Sequence, residues 1–158
     1  MHAADASITV VGVATSLAGH AAAWRGDLAD ARRAHDALEE GGVHGPALEA
    51  SRRTMNAVIA ALEGRTGEAA GGFRDASRQW RDLGLSFDLA LCHLDLLATL
   101  GTTGNGATAA ADEARMILLE LQAEPFLRRL EALEQRTSPD PTAPAMETVP
   151  VEPAEQRS

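Results

Sequence analysis

Lysine and tyrosine are absent from this chain of 158 residues, cysteine occurs once, at Cys92, and aromatic residues make up 3% of the total. Without lysine there is no P-loop lysine, no Schiff-base lysine and no kinase-type phosphate lysine. One cysteine closes no internal disulfide, which fits a reducing, cytoplasmic setting. Positive charge is also short. Lysine and arginine together number 14 against 23 acidic residues, for a net charge of −9. Such a surface repels phosphate backbones, so nucleic-acid binding by bulk electrostatics is excluded. The β-branched and aromatic residues that favour strands are sparse, while Ala and Leu dominate the 45% apolar content. Both are strong helix formers, and an all-α fold is the expectation.

Residues 7–24 carry no formal charge, but they include Gly12, Ser16, Gly19 and His20, and the segment before them holds Asp5 and no Lys or Arg. These features argue against both a secretory leader and a membrane span. A first helix over 8–24, buried in the fold, is expected instead.

One spacing organises the chain. Ala31, Ala69 and Ala107 stand 38 residues apart, and so do Leu38, Ala76 and Ala114. The same interval separates Ala22, Ala60 and Ala98, then Trp24, Leu62 and Leu100, and the turn positions Gly26, Gly64 and Thr102. A fixed period between 20 and 50 residues is the signature of a repeat architecture. Each period divides into two helices, predicted at 8–24 and 28–40, 46–62 and 67–83, and 86–100 and 107–121. Pro46 suits a first helical position and Gly84 a helix end. A last helix over 125–135 places Phe126, Leu127, Leu130 and Leu133 on one face and Arg128, Arg129, Glu131 and Glu134 on the other, as a solvent-facing cap requires. Residues 137–158 hold five prolines and almost no large apolar side chain, so they form a disordered, acidic tail after a helical domain of residues 1–136.

The arrangement Ala69, Phe73, Ala76 resembles the second half of the tetratricopeptide repeat, in which small residues admit close helix packing and a large one plugs the next unit. Gly19 and Ala57 fall where that family takes a small residue on the first helix. Asp95 departs from this pattern at the third such position, as do Thr15 and Arg53 at large apolar positions and the period of 38 itself. Residues 60–133, and most specifically 80–92, resemble the C-terminal helical repeats of bacterial ATPase-linked adenylate and guanylate cyclases and of large LuxR-type and SARP-type transcriptional regulators. The resemblance spans about residues 21–133 and reaches no cyclase, P-loop or helix-turn-helix. The chain is therefore expected to be a free-standing repeat protein, a split relative or a fragment.

The resemblance implies a tetratricopeptide-like solenoid of antiparallel helix hairpins with a C-terminal capping helix. It also implies a concave surface lined by the first helix of each pair. Carried onto this sequence, the lining is Ser16 and His20, then Ser51, Thr54 and Val58, then Leu89, Cys92 and Leu96. It is small, neutral and partly apolar, and lacks the Lys/Asn clamp that grips acidic peptide tails. The expected function is a non-catalytic protein- or peptide-binding module in bacterial signalling or transcriptional control. Self-association through the uncharged first helix is a further expectation. The alternatives are a solenoid that senses a small-molecule effector, and an enzyme with an unrecognised site.

Cys92, His93 and Asp95 are the one tight cluster of reactive types. On a helix they point in different directions, so a buried thiol beside a surface histidine is expected, with no metal. His20, His35 and His44 lack ligand spacing, and no G-x-S-x-G or His-Glu-x-x-His occurs. No cofactor, metal or catalytic residue is expected.

Overall fold

The computed structural model describes residues 3–42, 44–104 and 106–137. The predicted tail, beyond its first residue, lies outside the described residues. Seven helices and no strand are present among them: α1 (Ala3–Arg25), α2 (Leu28–Glu40), α3 (Pro46–Leu62), α4 (Thr66–Asp82), α5 (Ser86–Leu100), α6 (Ala107–Glu120) and α7 (Glu124–Thr137). The fold is all-α, as composition requires.

The helix boundaries follow local chemistry. Pro46 opens α3 directly after Gly45, where the missing proline N–H has no helical partner to lose. Asp27 caps α2, its side chain accepting from the Asp30 amide at 2.9 Å. Gly26 and Gly64, one period apart, both adopt positive φ, 69° and 81°, which lets the chain reverse within two or three residues. In the third unit that column holds Thr102, and positive φ moves to Gly101, Gly104 and Gly106. The turn lengthens accordingly, so Ala107 opens α6 whereas Ala31 and Ala69 lie inside α2 and α4.

Each helix packs on its sequence neighbour, and α1 meets α3, α3 meets α5 and α5 meets α7. The backbones of the second helices α2, α4 and α6 stand apart from one another, α4 and α6 being tied instead by the Arg81–Glu113 ion pair. The 38-residue interval is visible in direct contacts. Thr54 of α3 and Cys92 of α5, one period apart, meet at 3.8 Å. Close approach inside the first two pairs also falls at equivalent positions. A Cβ on Gly19 would stand 3.6 Å from Ala34, and one on Gly72 would stand 3.0 Å from Ala57. Phe73, fully buried among the core alanines, fills the space these small residues leave. Burying a side chain of that size contributes about 2–3 kcal/mol.

Two features depart from expectation. Helix α1 starts earlier than predicted, and it is not buried along its length. Gly19, His20, Ala22 and Ala23 are enclosed, while Val13, Ala14, Leu17 and Ala18 are exposed. The second is that α1 reaches across to α5. That contact brings the first helices together on their inner side.

Candidate functional site

The inner side is where an open groove was expected, and it is filled. His20, Thr54, Val58, Leu89 and Cys92 are buried, whereas Ser16, Ser51 and Leu96 keep partial exposure. The eight residues therefore do not line one accessible concave face, because α1 folds onto α5 and closes it. At the point of closure His20 Nδ1 lies 2.7 Å from Asp95 Oδ2, across 75 residues of sequence. Trp24 stacks on His20 with centroids 6.1 Å apart, meets Phe126 edge-on, and carries the Arg129 guanidinium 4.5 Å above its ring. Phe87 meets Phe126 edge-on at 5.2 Å, so α1, α5 and α7 share one aromatic plug.

Asp95 is fully buried, which a carboxylate tolerates only with a charged or hydrogen-bonded partner. Burial pushes the His20 pKa down, but the Asp95 carboxylate, its hydrogen bond and Asp88 outweigh that effect and hold it above the ordinary value. Asp95 is the residue that broke the small-residue column Gly19, Ala57, Asp95. An acid at a position that periodicity places inside was the available signal. Its partner, one residue after Gly19, was read as groove lining.

Cys92 is buried as expected, against Thr54 and Ser77. Burial, with Asp95 nearby, pushes its thiol up to about 12. It stays protonated and unfit for nucleophilic chemistry. His93 was expected at the surface and is instead buried. The reason is α6: Glu113 Oε2 accepts from His93 Nε2 at 2.7 Å. Burial holds the His93 pKa below the usual histidine value despite that carboxylate. Glu113 is also gripped by Arg81, whose Nη2 donates at 2.8 Å and 3.0 Å to its two oxygens. Burial opposes ionisation of Glu113, but Arg81 and His93 prevail and hold its pKa low.

This tie sits in the wall of a cleft of about 590 Å³ between α4 and α6, floored by α5. The cleft exists because the α4 and α6 backbones stand apart, joined across the gap by the Arg81–Glu113 pair. Of the expected site residues only Leu96 lines it. A second hollow, of about 500 Å³, lies between α1 and α2 and is lined mainly by Ala14, Ala18, Ala21, Ala34 and Ala37.

The chain matches no family model, no curated protein and no solved structure. Among the described residues no helix is long and apolar enough to cross a membrane.

Proposed function

We propose that this chain is a non-catalytic protein-interaction module, a tetratricopeptide-like stack of helix hairpins that assembles through the outer face of α1. The resemblance of residues 60–133 to the repeats of bacterial cyclases and transcriptional regulators is what favours a role in signalling or transcriptional control. Contacts between residues one period apart support the repeat reading.

One observation carries the interaction surface. Met55, 38 residues after Leu17, is 2% exposed and packs against Gly19 of the preceding pair. Leu17 holds the same register position on α1, where no described helix precedes it, and is 50% exposed. Val13, one turn earlier, is 56% exposed. An apolar face that the fold covers in its second copy is left open in its first.

The occupant is a second copy of this chain. With a net charge of −9 two copies repel over most of their surface, but residues 7–24 bear no charge and can meet without like-charge repulsion. The alanines beside Leu17 allow another helix to approach closely, and a two-fold pairing makes one such face its own complement. Sedimentation velocity on the full chain is the test. A dimer that becomes monomeric on Leu17→Glu, with helix content retained by circular dichroism, is the expected result. A monomer at high micromolar concentration, or a dimer indifferent to Leu17→Glu, refutes the proposal.

A further inference from the structure

The cleft between α4 and α6 differs in charge from the molecule around it. Arg74, Arg78 and Arg81 recur at four- and three-residue intervals on α4, so one face of that helix presents all three guanidinium groups to the cleft. The one carboxylate in the lining is Glu113, already held by Arg81 and His93. With His93 neutral, three arginines against one glutamate leave the lining at +2 in a chain of net charge −9.

Arg81 is engaged, but the other two guanidinium groups are not satisfied from within. Arg78 approaches Asp75 on its own helix at 3.9 Å, too far for a hydrogen bond. Among the described residues Arg74 has no ion pair or hydrogen bond. The facing wall is the start of α6, where Ala107, Ala109 and Ala110 line the cleft. Gly106 supplies no side-chain cap there and the first turn holds no acidic residue. The positive end of the helix is therefore uncompensated by its own sequence. The floor is apolar, with Leu96 and Leu100 of α5 half-buried beneath the arginines. The volume lies within the range of small-molecule sites, about 300–1,000 Å³.

We infer that this cleft binds a small organic anion, a carboxylate or phosphate ester whose charged head meets Arg74 and Arg78 and whose apolar body lies on Leu96 and Leu100. Arginine presents a planar fork suited to either head group. Three arginines focused in one cleft of an acidic molecule also steer anions toward it. A ligand so placed adds a second bridge between α4 and α6, beside the Arg81–Glu113 pair, and stiffens the second and third helix pairs against each other. This reading does not depend on the dimer proposed above, since the cleft lies among α4, α5 and α6.

Calorimetric titration of the full chain with octanoate and, separately, octyl phosphate tests the inference. Binding of at least one of them at one site per chain is expected, and which one binds identifies the head group. Arg74→Gln combined with Arg78→Gln should weaken that binding about tenfold or more, since each lost hydrogen bond to a charged group is worth that much. Both arginines are exposed, so circular dichroism and the melting temperature should be unchanged. Ala109→Trp, which fills the cleft from the α6 wall and leaves both arginines in the chain, should abolish binding. Leu17→Glu should leave it intact. Absence of binding by either probe, or affinity that survives both the double variant and Ala109→Trp, overturns the inference. Loss of binding on Leu17→Glu alone would move the site to α1 and overturn it equally.

Discussion

At the residue scale the decisive pair is His20 and Asp95. A histidine whose pKa is raised by folding stabilises the folded chain fully below its unfolded value of 6.5 and loses that contribution as pH climbs through the raised value. His93 acts in the opposite sense. Its pKa is lowered, so its contribution is present above 6.5 and fades as pH falls through the lowered value. Wild-type stability should therefore decline on both sides of near-neutral pH from these two groups. Asp95→Asn removes the alkaline limb and deepens the acidic one, lowering stability by about 3 kcal/mol at mildly acidic pH because it leaves His20 buried without its counter-charge. Thermal melts from about pH 5 to about pH 9 check both parts. A second expectation concerns Cys92. With its thiol pushed up to about 12 and no access to solvent, it should ignore a disulfide reagent in the native chain and react only after denaturation. Labelling of the native protein within minutes would contradict the burial described.

At the element scale, the glycines on the packed faces of α1 and α4 are not equivalent, although both stand where two helices approach. A Cβ at Gly19 would fall 2.2 Å from the terminal methyl of Met55, which is the far end of a flexible side chain and can swing away. Gly19→Ala should thus be neutral or slightly stabilising, since alanine favours the helix by roughly 0.5–1 kcal/mol. A Cβ at Gly72 would meet the Cβ of Ala57 at 3.0 Å, an atom fixed to the α3 backbone. Gly72→Val must push the α3–α4 pair apart and should cost about 1–3 kcal/mol in denaturant unfolding. The helices themselves were legible in the sequence, because period, proline and glycine placement act locally. The start of α1 was not, since Asp5, the one charge in its first turns, was read as preceding the helix. His93 was misplaced for a related reason: its burial depends on Glu113 and Arg81, which lie on two other helices.

At the scale of the whole molecule, exposed apolar side chains collect on two elements. Leu17 and Val13 lie on α1, while Met116, Leu119 and Leu121 lie on or just after α6. Only the α1 face is free of formal charge, whereas α6 carries Asp112, Glu113, Arg115 and Glu120 among its apolar residues. The dimer should therefore survive Met116→Glu and dissociate on Leu17→Glu, as read by sedimentation. Its melting temperature should rise with protein concentration in the first variant and be independent of it in the second.

The sequence by itself determined that the chain is helical, where its helices turn, and that residues recur every 38 positions, because each of these depends on neighbours within a few turns. Thr54, Val58 and Cys92, which the resemblance placed on an open lining of the inner side, are buried. Only the tertiary structure decided that this side is closed. Whether the first helices stand apart or meet depends on contacts between segments far apart in sequence, and here α1 meets α5 with His20 against Asp95. The arginine-lined cleft likewise depends on how far the α4 and α6 backbones stand apart, which no local pattern sets. Local pattern constrains which residues face inward; packing between distant helices sets which of them stay accessible.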